Sequence, residues 1–237
     1  VNIKVSDFFH YQSYMQTKIG GEEARKVRLV GQTQIGRKGL AGQTALVTNQ
    51  TNRSLGPFDA LLMNPPYTRQ EALGSYKNTV RDVALKIARR GMKSKDVKMS
   101  KRAGYYVYFM THGTNFLREN GRFGMIVQNS WLDVDYGRDV QRFLLENYKI
   151  IAVIDCSKER FIKTADVNTV LVFLEKCMGD EKAEERNSNL VHFVDLRKPL
   201  DWFESNYGFK ELIELIENTK KNYVGDDLRI IVKTQKD

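Results

Sequence analysis

The residues best placed to do chemistry sit in one stretch, Phe58-Asp59-Ala60-Leu61-Leu62-Met63-Asn64-Pro65-Pro66-Tyr67. Its apolar centre, Ala60 to Met63, reads as a buried strand. Proline has no N–H for a sheet and fixes its own φ, so Pro65 and Pro66 mark the strand's carboxyl end. The residue before a proline is pushed out of the helical region, which keeps Asn64 extended. The result is a stiff turn presenting an amide, carbonyls with few competing donors, and the ring of Tyr67. That set suits an exocyclic amino group on a flat ring. The Asn64 side-chain oxygen and the Pro65 carbonyl can accept its two N–H groups, drawing the nitrogen towards a tetrahedral, more nucleophilic geometry. Tyr67 can stack on the ring face. A plain proline turn is the alternative, since Asn-Pro is a common turn dipeptide.

The elements around this turn read as an alternation of strands and helices. Val1 to Ser6 alternates apolar and polar residues as a strand does, with Asp7-Phe8-Phe9 at its end. The spacing predicts a helix from Tyr105 to Asn120 with Gly121 just past its end, then a strand from Arg122 to Val127. Gln128-Asn129-Ser130-Trp131 would then lie on the same rim as Asn64. A helix from Asp139 to Asn147 and a strand from Lys149 to Ile154 follow. Such alternation implies an α/β fold with a mostly parallel sheet, and ligands bind such sheets outside the carboxyl ends of their strands. Met178 to Asn189 is polar and reads as a linker. After it come a strand at Leu190 to Leu196, an amphipathic helix at Phe209 to Tyr223 and a short strand at Leu228 to Val232.

Asn-Pro-Pro-Tyr after a hydrophobic strand resembles the catalytic motif of amino-group methyltransferases that use S-adenosylmethionine, above all the N6-adenine DNA methyltransferases of restriction–modification systems. The resemblance implies that Asn64, Pro65, Pro66 and Tyr67 are catalytic. It also implies a Rossmann-like sheet whose last two strands form an antiparallel hairpin. In that family the loop of this hairpin carries a phenylalanine that packs on the extruded adenine opposite the motif's aromatic, and the next strand is of a Val-x-Thr type ending in Lys. Phe161 followed by Val167-Asn168-Thr169 and Lys176 fits that pattern, with a core anchor in the hairpin loop as the alternative role for Phe161. The family also ends an early strand in Asp and an aromatic that hold the cofactor's adenine. Asp7 and Phe8 fit, although an N-cap acid beside core phenylalanines would read the same way. The family's Phe-x-Gly-x-Gly cofactor loop is not found here and is expected upstream, so the resemblance covers roughly Ile3 to Lys176 of an N-terminally incomplete fold.

Composition sets the bounds. At 237 residues, 41% hydrophobic and 28% charged, the chain is long enough for one good core. No apolar run approaches a membrane span. Cys156 and Cys177 lack metal-type spacing and suit a reducing cytoplasm, and His10, His112 and His192 are scattered, so no metal site is expected. A formal net charge of +9 favours a polyanionic partner. Much of the excess follows the proline turn, in Lys77, Arg81, Arg89, Arg90, Lys93, Lys95, Lys98, Lys101 and Arg102, with Lys86 among them. This run has the charge to hold a phosphodiester strand, and a solvated helix face is its bland alternative. The glycine-rich basic segment from Tyr11 to Asn52 reads as a loop.

These readings point to the catalytic part of a cytoplasmic DNA adenine-N6 methyltransferase similar to type I and type IIG restriction–modification enzymes. S-adenosylmethionine would be the cofactor and double-stranded DNA the partner, with restriction or specificity subunits or domains as further partners. Residues 1–178 would form a partial catalytic domain, and 179–237 an extension that could begin a target-recognition region. An incomplete sheet would expose an edge and apolar surface, a site for self-association. Two alternatives stand beside this: methylation of a protein glutamine or an RNA guanine amino group, and a non-catalytic DNA-binding module with the same fold.

Overall fold

The computed structural model describes residues 57–65, 104–135, 137–162 and 167–237. The strand at 1–6 with Asp7 and Phe8, the glycine-rich segment, Pro66, Tyr67 and the basic run from Lys77 to Arg102 lie outside them. The described elements are β1 (Phe58–Met63), α1 (Tyr105–Gly113), β2 (Leu117–Gln128), α2 (Gly137–Asn147), β3 (Tyr148–Cys156), β4 (Thr169–Lys176), α3 (Ala183–Asn187), β5 (Leu190–Leu196), α4 (Leu200–Asn206), α5 (Phe209–Asn218), β6 (Tyr223–Val224) and β7 (Leu228–Thr234).

The strands make one sheet in the order β1-β2-β4-β3-β5-β7-β6. β1–β2 and β3–β5 pair parallel, and the other four ladders are antiparallel. Because only β4 and β7 run against the rest, the described strands mostly share one direction although the ladders are mixed. The expected antiparallel hairpin is β3–β4, with β4 inserted between β2 and β3. The sheet does not stop there: residues after 178 supply β5, β6 and β7 to the same sheet, so no break in hydrogen bonding falls at that boundary.

Alternation along the strands divides the core in two. On one face Phe123, Met125, Val127, Val153, Val170, Val172 and Leu174 pack against Tyr106, Tyr108 and Met110 of α1 and Val140, Phe143 and Leu144 of α2. On the other, Ala152, Ile154, Val194, Leu196, Leu228 and Ile230 pack against Phe203 of α4 and Leu212 and Ile216 of α5. Tyr148 is fully buried and donates its phenol to Thr114 Oγ1 at 2.6 Å. Burial pushes that phenol well above its usual pKa, against the opposing pull of the Thr114 bond. Both cysteines are free and buried.

Two helices end earlier than their sequence spacing predicts. α1 stops at Gly113 rather than Asn120, and β2 begins at Leu117 rather than Arg122. Thr111 Oγ1 bonds back to Val107 and Tyr108 carbonyls and Thr114 Oγ1 to the Met110 carbonyl, a competition that loosens the last helical turn. Lys176 Nζ then takes the Thr114 and Leu117 carbonyls at 2.8 and 2.7 Å, and Leu117 pairs with Phe58. Strand pairing thus outcompetes the helical periodicity. Gly121 is no helix cap. The β1–β2 register slips between Phe58↔Leu117 and Ala60↔Arg122, Asn120 adopts φ 60°, and a Cβ on Gly121 would meet the Arg118 carbonyl at 2.8 Å and that of Phe58 at 3.1 Å. α5 likewise ends at Asn218, where Thr219 caps it by donating Oγ1 to the Leu215 carbonyl. The Met178–Asn189 segment is more ordered than a linker: it holds α3, and buried Arg186 donates to the Cys177 and Gly179 carbonyls.

Candidate functional site

The strand ends of β1, β2 and β3 point to one rim. β1 pairs parallel with β2, and β3 runs the same way because β4 opposes both. On this rim β1 ends at Met63, Asn64 is exposed and Pro65 is buried. Pro65 packs in while Asn64 faces out, continuing the alternation of β1. An open hollow of about 280 Å³ lies beside them, lined by Leu61, Leu62, Met63, Asn64, Pro65 and Phe109. Its wall is apolar except for the amide, so a flat ring entering it would meet one polar group at the strand end. Phe109, read from the sequence only as a core aromatic on α1, forms part of this wall, and its helical spacing carries no signal for that role.

The next part of the rim follows β2. Asn129–Leu132 forms a short 3₁₀ turn held from three sides. The Tyr106 hydroxyl lies 3.5 Å from Ser130 Oγ, Gln141 Nε2 donates to the Trp131 carbonyl at 2.9 Å, and Asn129 N–H donates to the Asn168 carbonyl at 3.1 Å. The last bond ties this turn to the start of β4. Gly137 is needed at the entry of α2 because a Cβ there would sit 1.9 Å from the Trp131 carbonyl oxygen. The expectation that Gln128 to Trp131 share a rim with Asn64 agrees with this arrangement.

Phe161 lies in the β3–β4 connection at the same rim, but on the opposite face of the sheet from Phe109, as the core-anchor alternative expects. Its ring is partly buried against the cluster under α4 and α5. A second cavity, of about 310 Å³, opens nearby at the head of the hairpin, lined by Asp155 to Arg160 with Asn168 and Thr169. The structure therefore brings Asn64, Pro65, the 129–132 turn and the hairpin head to one rim. The other predicted site residues, Asp7, Phe8, Pro66, Tyr67 and the basic run, are outside the described residues. Among the described residues no three His, Cys, Asp or Glu side chains gather as metal ligands, and no helix is long and apolar enough to cross a membrane.

Comparison with known proteins adds the following. The chain is 28% identical over 137 residues to the type II methyltransferase M.BanIII of Aneurinibacillus aneurinilyticus, covering 58% of this chain and 21% of that protein. It is 31% identical over 101 residues to the type II methyltransferase M.BstVI of Geobacillus stearothermophilus, covering 43% of this chain and 16% of the relative. The type II restriction enzyme and methyltransferase RM.Eco57I of Escherichia coli is 29% identical over 119 residues, covering 50% and 11%. The chain thus spans about a fifth or less of these relatives. The fold is similar to that of the type IIG restriction endonuclease BpuSI, with a TM-score of 0.54 and 13% identity over 76% of this chain and 20% of that one. Residues 11–161, more than half of the sequence and inclusive of the Asn64–Tyr67 motif and Phe161, match the Eco57I restriction-modification methylase family, and the chain belongs to that family.

Proposed function

We propose that this chain is the catalytic portion of a DNA adenine-N6 methyltransferase of a restriction–modification system. The observation that carries the reading is the placement of Asn64 and Pro65 at the carboxyl end of β1, beside an apolar hollow and within a restriction–modification methylase family. The relatives named above as methyltransferases support it.

S-adenosylmethionine, when bound, supplies an electrophilic methyl group on a sulfonium. Asn64 accepts from the target amino group through its side-chain oxygen, and the Pro65 carbonyl accepts the second N–H. Together they fix the direction of the nitrogen lone pair. Tyr67 and Phe161 stack on the two faces of an adenine taken out of the duplex. Unstacking costs a few kcal/mol, and stacking on aromatics returns roughly 1–3 kcal/mol per base. With no covalent enzyme intermediate, positioning supplies most of the rate. Asp7 and Phe8 hold the cofactor's adenine, the basic run from Lys77 to Arg102 grips the duplex, and the protein works in the cytoplasm. Residues 179–237, which continue the sheet, begin a target-recognition region.

The test offers methyl-labelled S-adenosylmethionine to the full-length protein with DNA, RNA or protein as acceptor. Label in DNA, recovered as N6-methyladenine, is expected. Label confined to RNA or protein overturns the assignment, and a protein that binds DNA with no transfer to any acceptor would be a non-catalytic module.

A further inference from the structure

The connection that leaves β3 is strapped to a segment some forty residues further along the chain. Cys156 Sγ donates to the Lys198 carbonyl at 3.6 Å, and Ser157 donates to the Leu196 carbonyl from its N–H at 3.1 Å and its Oγ at 3.4 Å. Glu159 then turns inwards, half-buried between exposed Lys158 and Arg160, and its Oε1 accepts the Leu200 N–H at 2.6 Å. Leu200 opens α4 directly after Pro199. The first N–H groups of a helix have no partner inside it, and a carboxylate there is favoured by the helix dipole as well as by the bond. Two residues beyond Glu159, Phe161 packs against the cluster that contains Phe203, as do Leu200 and Trp202.

The far end of the same connection is tied to the rim. The Asn168 carbonyl accepts the Asn129 N–H of the 3₁₀ turn after β2 at 3.1 Å, and β4 starts at Thr169. The connection therefore runs from the β5–α4 segment to the turn that shares its rim with Asn64. Its straps on the β5 side are unequal. Those from Cys156 and Ser157 are neutral and sit at the end of β3, whereas that from Glu159 is short, charge-assisted and next to Phe161. A bond to an ionised group is roughly twice as strong as a neutral one.

We infer that Glu159 is a positioning residue for methyl transfer: its bond to the Leu200 N–H seats the β3–β4 connection, and Phe161 with it, where the extruded adenine is received. This rests on the methyltransferase reading and adds a residue to it. Glu159 acts through the connection rather than by contact with the base or the methyl donor. α4 and the 196–200 segment are thereby part of the apparatus that holds the base. Loss of the bond lowers the fraction of molecules whose connection stands ready, and the observed rate scales with that fraction.

The experiment compares Glu159→Ala, Glu159→Gln and Leu200→Pro in the full-length protein, on an oligonucleotide containing the site that the wild type methylates. Alanine removes the acceptor, and glutamine keeps an acceptor oxygen in the same place. Proline at the first helical position removes the N–H while suiting the helix start. Three quantities are read: the single-turnover methylation rate at saturating DNA and cofactor, the fluorescence of 2-aminopurine replacing the target adenine, which reports extrusion, and S-adenosylmethionine affinity. Glu159→Ala should slow transfer about tenfold and lower the 2-aminopurine signal, with cofactor affinity unchanged. Glu159→Gln should stay within about threefold of wild type. Leu200→Pro should slow transfer as Glu159→Ala does, and combining the two should slow it no further. If Glu159→Ala does not fold, the glutamine and proline variants carry the same test. A rate for Glu159→Ala within about twofold of wild type, an unchanged 2-aminopurine signal, a glutamine variant as slow as the alanine one, additive losses in the double variant, or cofactor affinity falling in step with rate each overturns the positioning role and leaves the methyltransferase reading intact. A wild-type protein that methylates no DNA removes both.

Discussion

β1 and β5 point the same way in one sheet, yet the protein treats them in opposite fashion. β5 is paired on both sides, by β3 and β7, and its Val191, Val194 and Leu196 are buried. Among the described residues β1 pairs only with β2, and Leu62 on it is 80% exposed and Phe58 40%. Its inward residues, Leu61 and Met63, are only partly buried against the α1–α2 core. Among the described residues the strand that presents Asn64 is therefore held by one ladder and a rigid proline, while stability of the described fold resides towards β3, β5 and β7. Polar strapping differs in the same way. β5 carries His192, whose ring nitrogens lie 3.1 and 2.8 Å from the Ile151 and Thr219 carbonyl oxygens, whereas the entry of β1 has an exposed Asp59–Arg118 pair. Exposed pairs of that kind contribute little.

The comparison breaks or sharpens under mutation. Phe203→Ala, beneath the β3–β5–β7 half, should destabilise by about 3–5 kcal/mol in denaturant melts. A loss under 1 kcal/mol would show that this half is not the stable one. Lys176→Met removes a largely buried ammonium, whose pKa burial pushes down, from two carbonyls where α1 gives way to β2. Stability should fall by roughly 1–3 kcal/mol through the orphaned carbonyls, and an unchanged melt would mean that water replaces the ammonium. Leu62→Ser on β1 should change stability by no more than about 0.5 kcal/mol. A large loss would place an apolar cover over that face.

Alkaline pH tests the far end of the sheet. Tyr207 donates to Asp227 Oδ2, and that bond, with burial behind it, pushes the phenol up to about 12. A raised folded pKa stabilises fully below the unfolded value near 10 and is lost as pH climbs through about 12. At Asp227 burial acts upwards but is outweighed by the bonds from Tyr207 and its own backbone, so its pKa falls below the usual value and its contribution is lost only in acid. The wild type should therefore lose stability across pH 10–12, and Tyr207→Phe should flatten that slope. An identical slope in the variant would assign it elsewhere.

Much of this was legible beforehand because local and global signals agree. The Ala60–Met63 run, the Arg122–Val127 and Lys149–Ile154 runs and Leu190–Leu196 are all strands of the sheet, although the Ala60–Met63 run, expected to be buried, has its residues only exposed or partly buried. The Asn64-Pro65 end of β1 lies where proline geometry puts it. What stayed hidden depends on distant partners. Leu117 to Asn120 fits a helical stripe, and only the Phe58 backbone and the Lys176 ammonium, far away in sequence, make it extended. Arg186 likewise looks like a solvated charge until the Cys177 and Gly179 carbonyls are seen around it. Nor does Thr169 differ in sequence from any strand threonine. That its Oγ1 is buried without a hydrogen-bond partner among the described residues shows only in the fold.

The central claim is that the Asn64 amide orients the amino group receiving the methyl. The most direct test is N6-methyladenine formation by Asn64→Ala in the full-length protein, with S-adenosylmethionine affinity measured by calorimetry alongside. Transfer should fall at least roughly 100- to 1000-fold while cofactor affinity stays near the wild-type value. Turnover retained within a few-fold of wild type would contradict the account.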